Sequence, residues 1–143
     1  DWSSDVCSSD LADIISCATL SNAPLVRGEW LQPGVHLDLI GSFTPAMRES
    51  DDACFARATV FVDTPEALMK AGDILAPIAS GAWEASGLAA TLEQLCRSQH
   101  AGRRSADEIT LFKAVGTALE DLAAASLAFD AFSAAGTSGA SAT

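Results

Sequence analysis

Basic residues are scarce in this chain: Lys and Arg number 8 against 19 Asp and Glu, a formal net charge of -11. A surface that acidic repels phosphate backbones, so nucleic acid is not expected as a partner. Long apolar runs are missing too; none approaches the roughly 20 residues that span a bilayer, so no membrane association is expected. No secretory signal is visible, although a chain lacking its true start could not show one. The cysteines, at positions 7, 17, 54 and 96, match neither a zinc motif nor a disulfide framework. They read as buried, reduced thiols of a cytoplasmic protein, and no metal is expected. None of the 10 glycines is spaced as G-x-G, so no phosphate-cradling loop of that type is encoded here. No internal repeat is evident.

What is present fits a globular core. Hydrophobic residues make up 49% and charged residues 19% of 143 residues, enough for one domain of ordinary size. The opening DWSSDVCSSDL is polar and lacks helix or strand periodicity. It resembles the translation of a common sequencing-library adapter, through Leu11, and is set aside as non-native. Native sequence is then expected to begin abruptly, inside a longer protein.

Beyond it, short apolar runs alternate with helical patterns. Ala12 to Ala18 reads as a buried strand and Val35 to Gly41 as a second, joined by a turn-rich connection holding Pro24, Gly28 and Pro33-Gly34. Ser50 to Ala58 carries an N-cap signal and a short helix; Thr59 to Asp63 is a third strand. Thr64 is expected to cap a helix with Pro65 at its first position, ended by Gly72. Ala76 to Gly87 reads as irregular and Leu88 to Gln99 as helix. Ile109 to Lys113 is a strand, Val115 to Ser133 the longest helix, and the tail from Ala134 is expected to be disordered. The expected class is α/β, with βαβ units and a mostly parallel sheet.

Ligands of open α/β sheets bind beyond the carboxyl ends of the strands. That directs attention to Cys17–Ser21 and to Gly41–Pro45, whose small residues and hydroxyls allow close backbone approach. Such turns are also ordinary strand ends. Strand-end pockets without a phosphate loop look like half of a nucleotide-binding domain.

Four blocks, in order, resemble the ornithine cyclodeaminase/mu-crystallin family. They are ADIISCATLSNAPLVRGEWLQPGVHLDLIGSFTPAMRESDD, ATVFVDTPEALMKAGDI, GRRSADEITLFKAVG and TALEDLAAA. The resemblance implies a Rossmann domain inserted in a substrate-binding and dimerisation domain. Residues 12–75 would be the second half of the Rossmann sheet with flanking helices, and 76–108 a remaining helix and connection. Residues 109–135 would be a strand and long helix returning to the absent domain, and 136–143 the tail. The intact protein is then expected to be a homodimer that binds NAD(P)H and a small imino or amino acid.

The resemblance also assigns site positions. Thr19 falls at a dinucleotide contact, and Ile40, Gly41, Ser42 and Phe43 on the turn against the nicotinamide. Ala114 and Val115 fall where the chain passes cofactor and substrate, with helix-onset N–H groups at Val115 available to a ligand. Lys113 is a candidate for a substrate carboxylate or for a structural ion pair. Ornithine cyclodeaminases place an Asp where this chain has Phe43, and a Lys where it has Met47. Phe transfers no proton, which argues against cyclodeamination and leaves hydride transfer intact. The stretch GSFTPAMRESDD resembles members that reduce cyclic imino acids such as Δ1-pyrroline-2-carboxylate, and that resemblance implies the same activity here. Ornithine cyclodeamination and dinucleotide binding in the manner of mu-crystallin are the alternatives. Arg48, Glu49, Asp51 and Asp52 read as a solvated helix start. His36 reads as a satisfied strand histidine, His100 as solvated, Trp30 and Trp83 as core edges, and Arg103-Arg104 as an exposed turn.

Overall fold

The structure is a computed structural model and describes residues 12–138. The adapter-like segment and residues 139–143 of the expected tail lie outside the described residues. Five strands form one sheet: β1 (Ile14–Cys17), β2 (His36–Leu39), β3 (Thr59–Val62), β4 (Leu88–Thr91) and β5 (Thr110–Lys113). All pairings are parallel, in the order β1-β2-β5-β3-β4. The helices are α1 (Asp52–Arg57), α2 (Ala67–Lys70), α3 (Gly72–Ser80), α4 (Leu92–Cys96) and α5 (Ala118–Ser138).

The period-two alternation of strands decides which face is buried. Leu37, Leu39, Val60, Val62 and Leu111 are fully buried and share one cluster with Phe55 of α1 and Ile74 of α3. His36, Thr110, Phe112 and Phe61 face the other way, where α4 leaves a cavity of about 450 Å³. Asp51 caps α1 by accepting from Cys54 N (3.2 Å), and the same oxygen accepts from Gly28 N at 2.8 Å. Trp83 closes the core edge, meeting Phe55 edge to face at 5.8 Å.

Several elements differ from expectation. Gly72 begins α3 rather than ending a helix, and glycine is required there because a Cβ would meet the carbonyl oxygens of Met47 and Pro45. Helix α3 extends as far as Ser80 into the stretch read as irregular and tolerates Pro77, whose ring is buried; residues 81–87 remain without α-helix or strand. Residues 88–91 form strand β4, with Ala90 buried, so only Leu92–Cys96 of the expected helix is helical. There Thr91 and Gln94 make a reciprocal capping box. Thr64 caps nothing: its hydroxyl is buried without a hydrogen-bond partner, and α2 starts at Ala67. Strand β5 sits between β2 and β3, so the boundary drawn at Ile109 cuts off a central strand of this sheet. Helix α5 starts at Ala118 and runs to Ser138, overlapping the expected tail. Cys17 and Cys54 are buried as expected, but Cys96 is exposed.

Candidate functional site

Parallel β1 and β2 end side by side, and Ile40 N donates to Cys17 O at 2.8 Å. Their outgoing turns are tied together from below by Glu49, which has no exposed surface. One carboxylate oxygen accepts from Thr19 N and from Thr19 Oγ1 (2.7 Å); the other accepts from Gly41 N (2.7 Å). Gly41 is required by this closeness, since a Cβ would meet Glu49 Oε1 and lie 2.5 Å from Thr19 N.

Glu49 is itself held by Asp73, in the first turn of α3. Asp73 Oδ1 accepts from Glu49 N and Ser50 N, both at 2.9 Å, and from Ser50 Oγ at 3.1 Å. Asp73 N donates to Ser42 Oγ (3.2 Å), which donates to Met47 O (2.7 Å). Beside them lies Lys113, fully buried, donating from Nζ to Leu39 O at 3.0 Å and lying 4.0 Å from Asp73 Oδ2. Burial draws its ammonium below the usual lysine range, and Asp73, Glu49 and Asp63 oppose that shift. Burial, then Glu49 and Asp73, pushes the Cys17 thiol up to about 11, so it stays protonated and unreactive.

A third carboxylate closes the end of β3. Asp63 is buried; its Oδ2 accepts from Val115 N and Gly116 N at 2.7 Å each, and its Oδ1 from Thr64 N at 2.6 Å. All three acids therefore face backbone donors. The turns of β1 and β2 expose three large apolar side chains beside Thr19: Leu20, Ile40 and Phe43 are 54%, 47% and 44% exposed. Leu20 is held at a positive φ of 57°. An apolar surface backed by hydrogen-bonded turns suits a flat ring.

The expected site residues divide accordingly. Thr19, Ile40 and Phe43 are exposed at the strand ends, and Gly41 and Ser42 are buried beneath them. The Ser42 hydroxyl is consumed within its turn, so its side chain does not reach a ligand. Ala114 N is taken by Leu39 O (3.0 Å) and Val115 N by Asp63, so no helix-onset N–H awaits a ligand at Val115. Lys113 cannot meet a substrate directly, because alternation along β5 points it to the same buried face as Leu111. The reading of Glu49 as solvated is wrong: eight residues after Gly41, it folds back under the turn. Arg48 does pair with Asp52.

Other residues take structural roles. His36 Nδ1 lies 2.8 Å from Thr110 Oγ1. His100 is half-buried rather than solvated, accepting from Gly102 N and meeting Phe61 edge to face. Arg103 is tied to Gly34 O, Glu108 O and Thr110 Oγ1, and Arg104 to Glu108. Trp30 lies under the Arg27 guanidinium, 5.4 Å from it. Among the described residues there is no cluster of metal-ligating side chains, and no helix is long and apolar enough to cross a membrane.

Comparison with known proteins places this arrangement. The chain is 50% identical over 123 residues to an uncharacterized protein of Schizosaccharomyces pombe, covering 82% of this chain and 37% of that protein. It is 47% identical over 116 residues to a Δ1-pyrroline-2-carboxylate reductase of Paracoccus denitrificans, covering 80% and 37% respectively. The solved structure of Thermococcus litoralis Δ1-pyrroline-2-carboxylate reductase, in complex with NADH and L-proline, superposes with a TM-score of 0.83. That pair is 33% identical, over 86% of this chain and 38% of the other. The chain thus spans little more than a third of the length of the relatives it matches. The family profile matches residues 4–136, starting inside the segment set aside as adapter-like. On these matches and this fold, the chain belongs to the ornithine cyclodeaminase/mu-crystallin family.

Proposed function

We propose that the full-length protein reduces a cyclic imino acid of the Δ1-pyrroline-2-carboxylate class to the cyclic amino acid, with NAD(P)H as hydride donor. The observation that carries this reading is the chemistry of the β2 turn. Phe43 stands exposed where the cyclodeaminases resembled here place an acid, and Glu49, Asp73 and Asp63 face inward onto backbone donors. The turn can position a ring but offers no carboxylate for deamination.

The residues present fit the nicotinamide end of a dinucleotide. Leu20, Ile40 and Phe43 give an apolar surface for a planar ring, and Thr19 keeps an exposed position at its edge. When bound, the dinucleotide supplies the hydride that adds to the imine carbon. The turns carrying Leu20, Ile40 and Phe43 would hold such a ring against the strand ends and present apolar side chains to it. Phe43 has no proton to give, so the imine nitrogen takes its proton from water or from a side chain outside the described residues.

The same reading takes the parent as a cytoplasmic homodimer. The support for the dimer is α5, where Leu119, Leu122, Leu127, Phe129 and Phe132 are 63–80% exposed, apolar side chains suited to a second domain or subunit. Imine-dependent oxidation of NADH or NADPH by the full-length protein tests the activity. Ammonia release from ornithine with no imine reduction would overturn it.

A further inference from the structure

We infer that Glu49 is the positioning residue for dinucleotide binding, holding the turns of β1 and β2 in register as one surface; the inference rests on the dinucleotide reading above. Three donors from two different turns converge on this one carboxylate: Thr19 N, Thr19 Oγ1 and Gly41 N. Direct backbone pairing holds the two strands as far as Ile40 N. Past that point, the Glu49 carboxylate couples Thr19 to Gly41, beside one backbone bond from Arg48 N to Ser21 O, and Leu20 and Ile40 adjoin these anchors in sequence. A shift of either turn would move the exposed Leu20 relative to Ile40 and Phe43.

The carboxylate is held in turn. Asp73 fixes its backbone N–H, and Lys113 sets a positive charge beside the two acids while holding Leu39 O at the end of β2. Glu49, Asp73 and Lys113 have no exposed surface. None of them is positioned to touch a ligand, so their effect on binding passes through Thr19 and Gly41. A carboxylate is needed here and not merely a group of that size. The amide of Gln has one acceptor oxygen, and its NH2 would face an N–H donor on one of the two turns.

The test uses the full-length protein and direct titration of NADH and of NADPH without any imine. Two variants are compared, Glu49→Gln and Val60→Ala, the second removing a fully buried side chain of β3 outside the network. Binding is measured well below the unfolding midpoint of each, so that loss of fold does not enter. Glu49→Gln is expected to weaken the tighter dinucleotide at least about tenfold, and Val60→Ala to change it by less than about threefold. Glu49→Gln binding within about threefold of wild type, or losing no more than Val60→Ala, overturns the inference. Wild-type protein that binds neither dinucleotide overturns the dinucleotide reading and this inference together. Weakened binding by Glu49→Gln in a protein that reduces no imine supports the inference and removes only the substrate reading.

Discussion

Lys113 Nζ lies 4.0 Å from Asp73 Oδ2 with neither side chain exposed, and that carboxylate oxygen has no hydrogen-bond partner of its own. The ammonium is therefore its compensating charge. Replacing Lys113 by Met keeps much of the volume but leaves two buried acids without a cation. Breaking a buried pair in this way costs about 3–5 kcal/mol. Urea unfolding of the full-length Lys113→Met variant is expected to show a loss of that size. A loss below about 1 kcal/mol would mean that the acids are compensated elsewhere.

Glu108 gives a dependence on pH. Donation from Thr59 Oγ1, then from the Arg104 backbone and guanidinium, holds its carboxyl down at about 2, against an ordinary 4.5. The folded value lies below the unfolded one, so the stabilisation is complete above about pH 4.5. It is lost as pH falls towards 2. The melting temperature of Glu108→Gln should decline less steeply than that of wild type across this window. Identical slopes would contradict the assignment.

Asp51 joins two elements by one oxygen, capping α1 at Cys54 N and holding Gly28 N. Asp51→Ala is expected to cost about 1–2 kcal/mol in chemical denaturation. Asp51→Asn, which keeps an acceptor oxygen, should recover most of that. An alanine variant as stable as wild type would show that the cap contributes nothing.

Gly41 has no room for a side chain between Glu49 and Thr19. Gly41→Ala should force the β1 and β2 turns apart, costing about 1–3 kcal/mol of stability as overpacking does. Dinucleotide affinity of the full-length variant should fall at the same time. Unchanged affinity, measured calorimetrically, would separate the turn from the binding surface.

Much of this fold is legible in the sequence, for physical reasons that also explain the failures. Strands β1, β2, β3 and β5 carry β-branched or large apolar residues in short runs, and the structure seats all four where those runs lie. Strand β4 is LAAT, whose alanines carry no strand preference; pairing with β3 makes it a strand. Gly72 and Pro77 signal helix ends locally, yet close approach of the Pro45–Met47 backbone requires the glycine and burial sustains the helix. At the site, exposed Phe43 and Ile40 follow from their place at a strand end. The burial of Glu49 does not, because an acid beside Arg48, Asp51 and Asp52 has the pattern of a wet helix start. Only the folded turn shows the three donors that meet it.

Helix α5 presents Leu119, Leu122, Leu127, Phe129 and Phe132 to solvent. The 143-residue chain by itself is accordingly expected to self-associate at micromolar concentration. Changing Leu122, Leu127, Phe129 and Phe132 together to Gln should return it towards monomer in sedimentation analysis. A wild-type chain that sediments as a monomer would show that these side chains need no cover.

The proposed hydride transfer to a cyclic imine at the turns carrying Leu20, Ile40 and Phe43 can be followed by isotope. The most direct measurement follows deuterium from reduced nicotinamide carrying it at both C4 positions, using the full-length protein and Δ1-pyrroline-2-carboxylate. The account predicts deuterium at the α-carbon of proline, with no ammonia released from ornithine in a parallel reaction. Ammonia release from ornithine with no imine reduction, or proline free of deuterium, would contradict it.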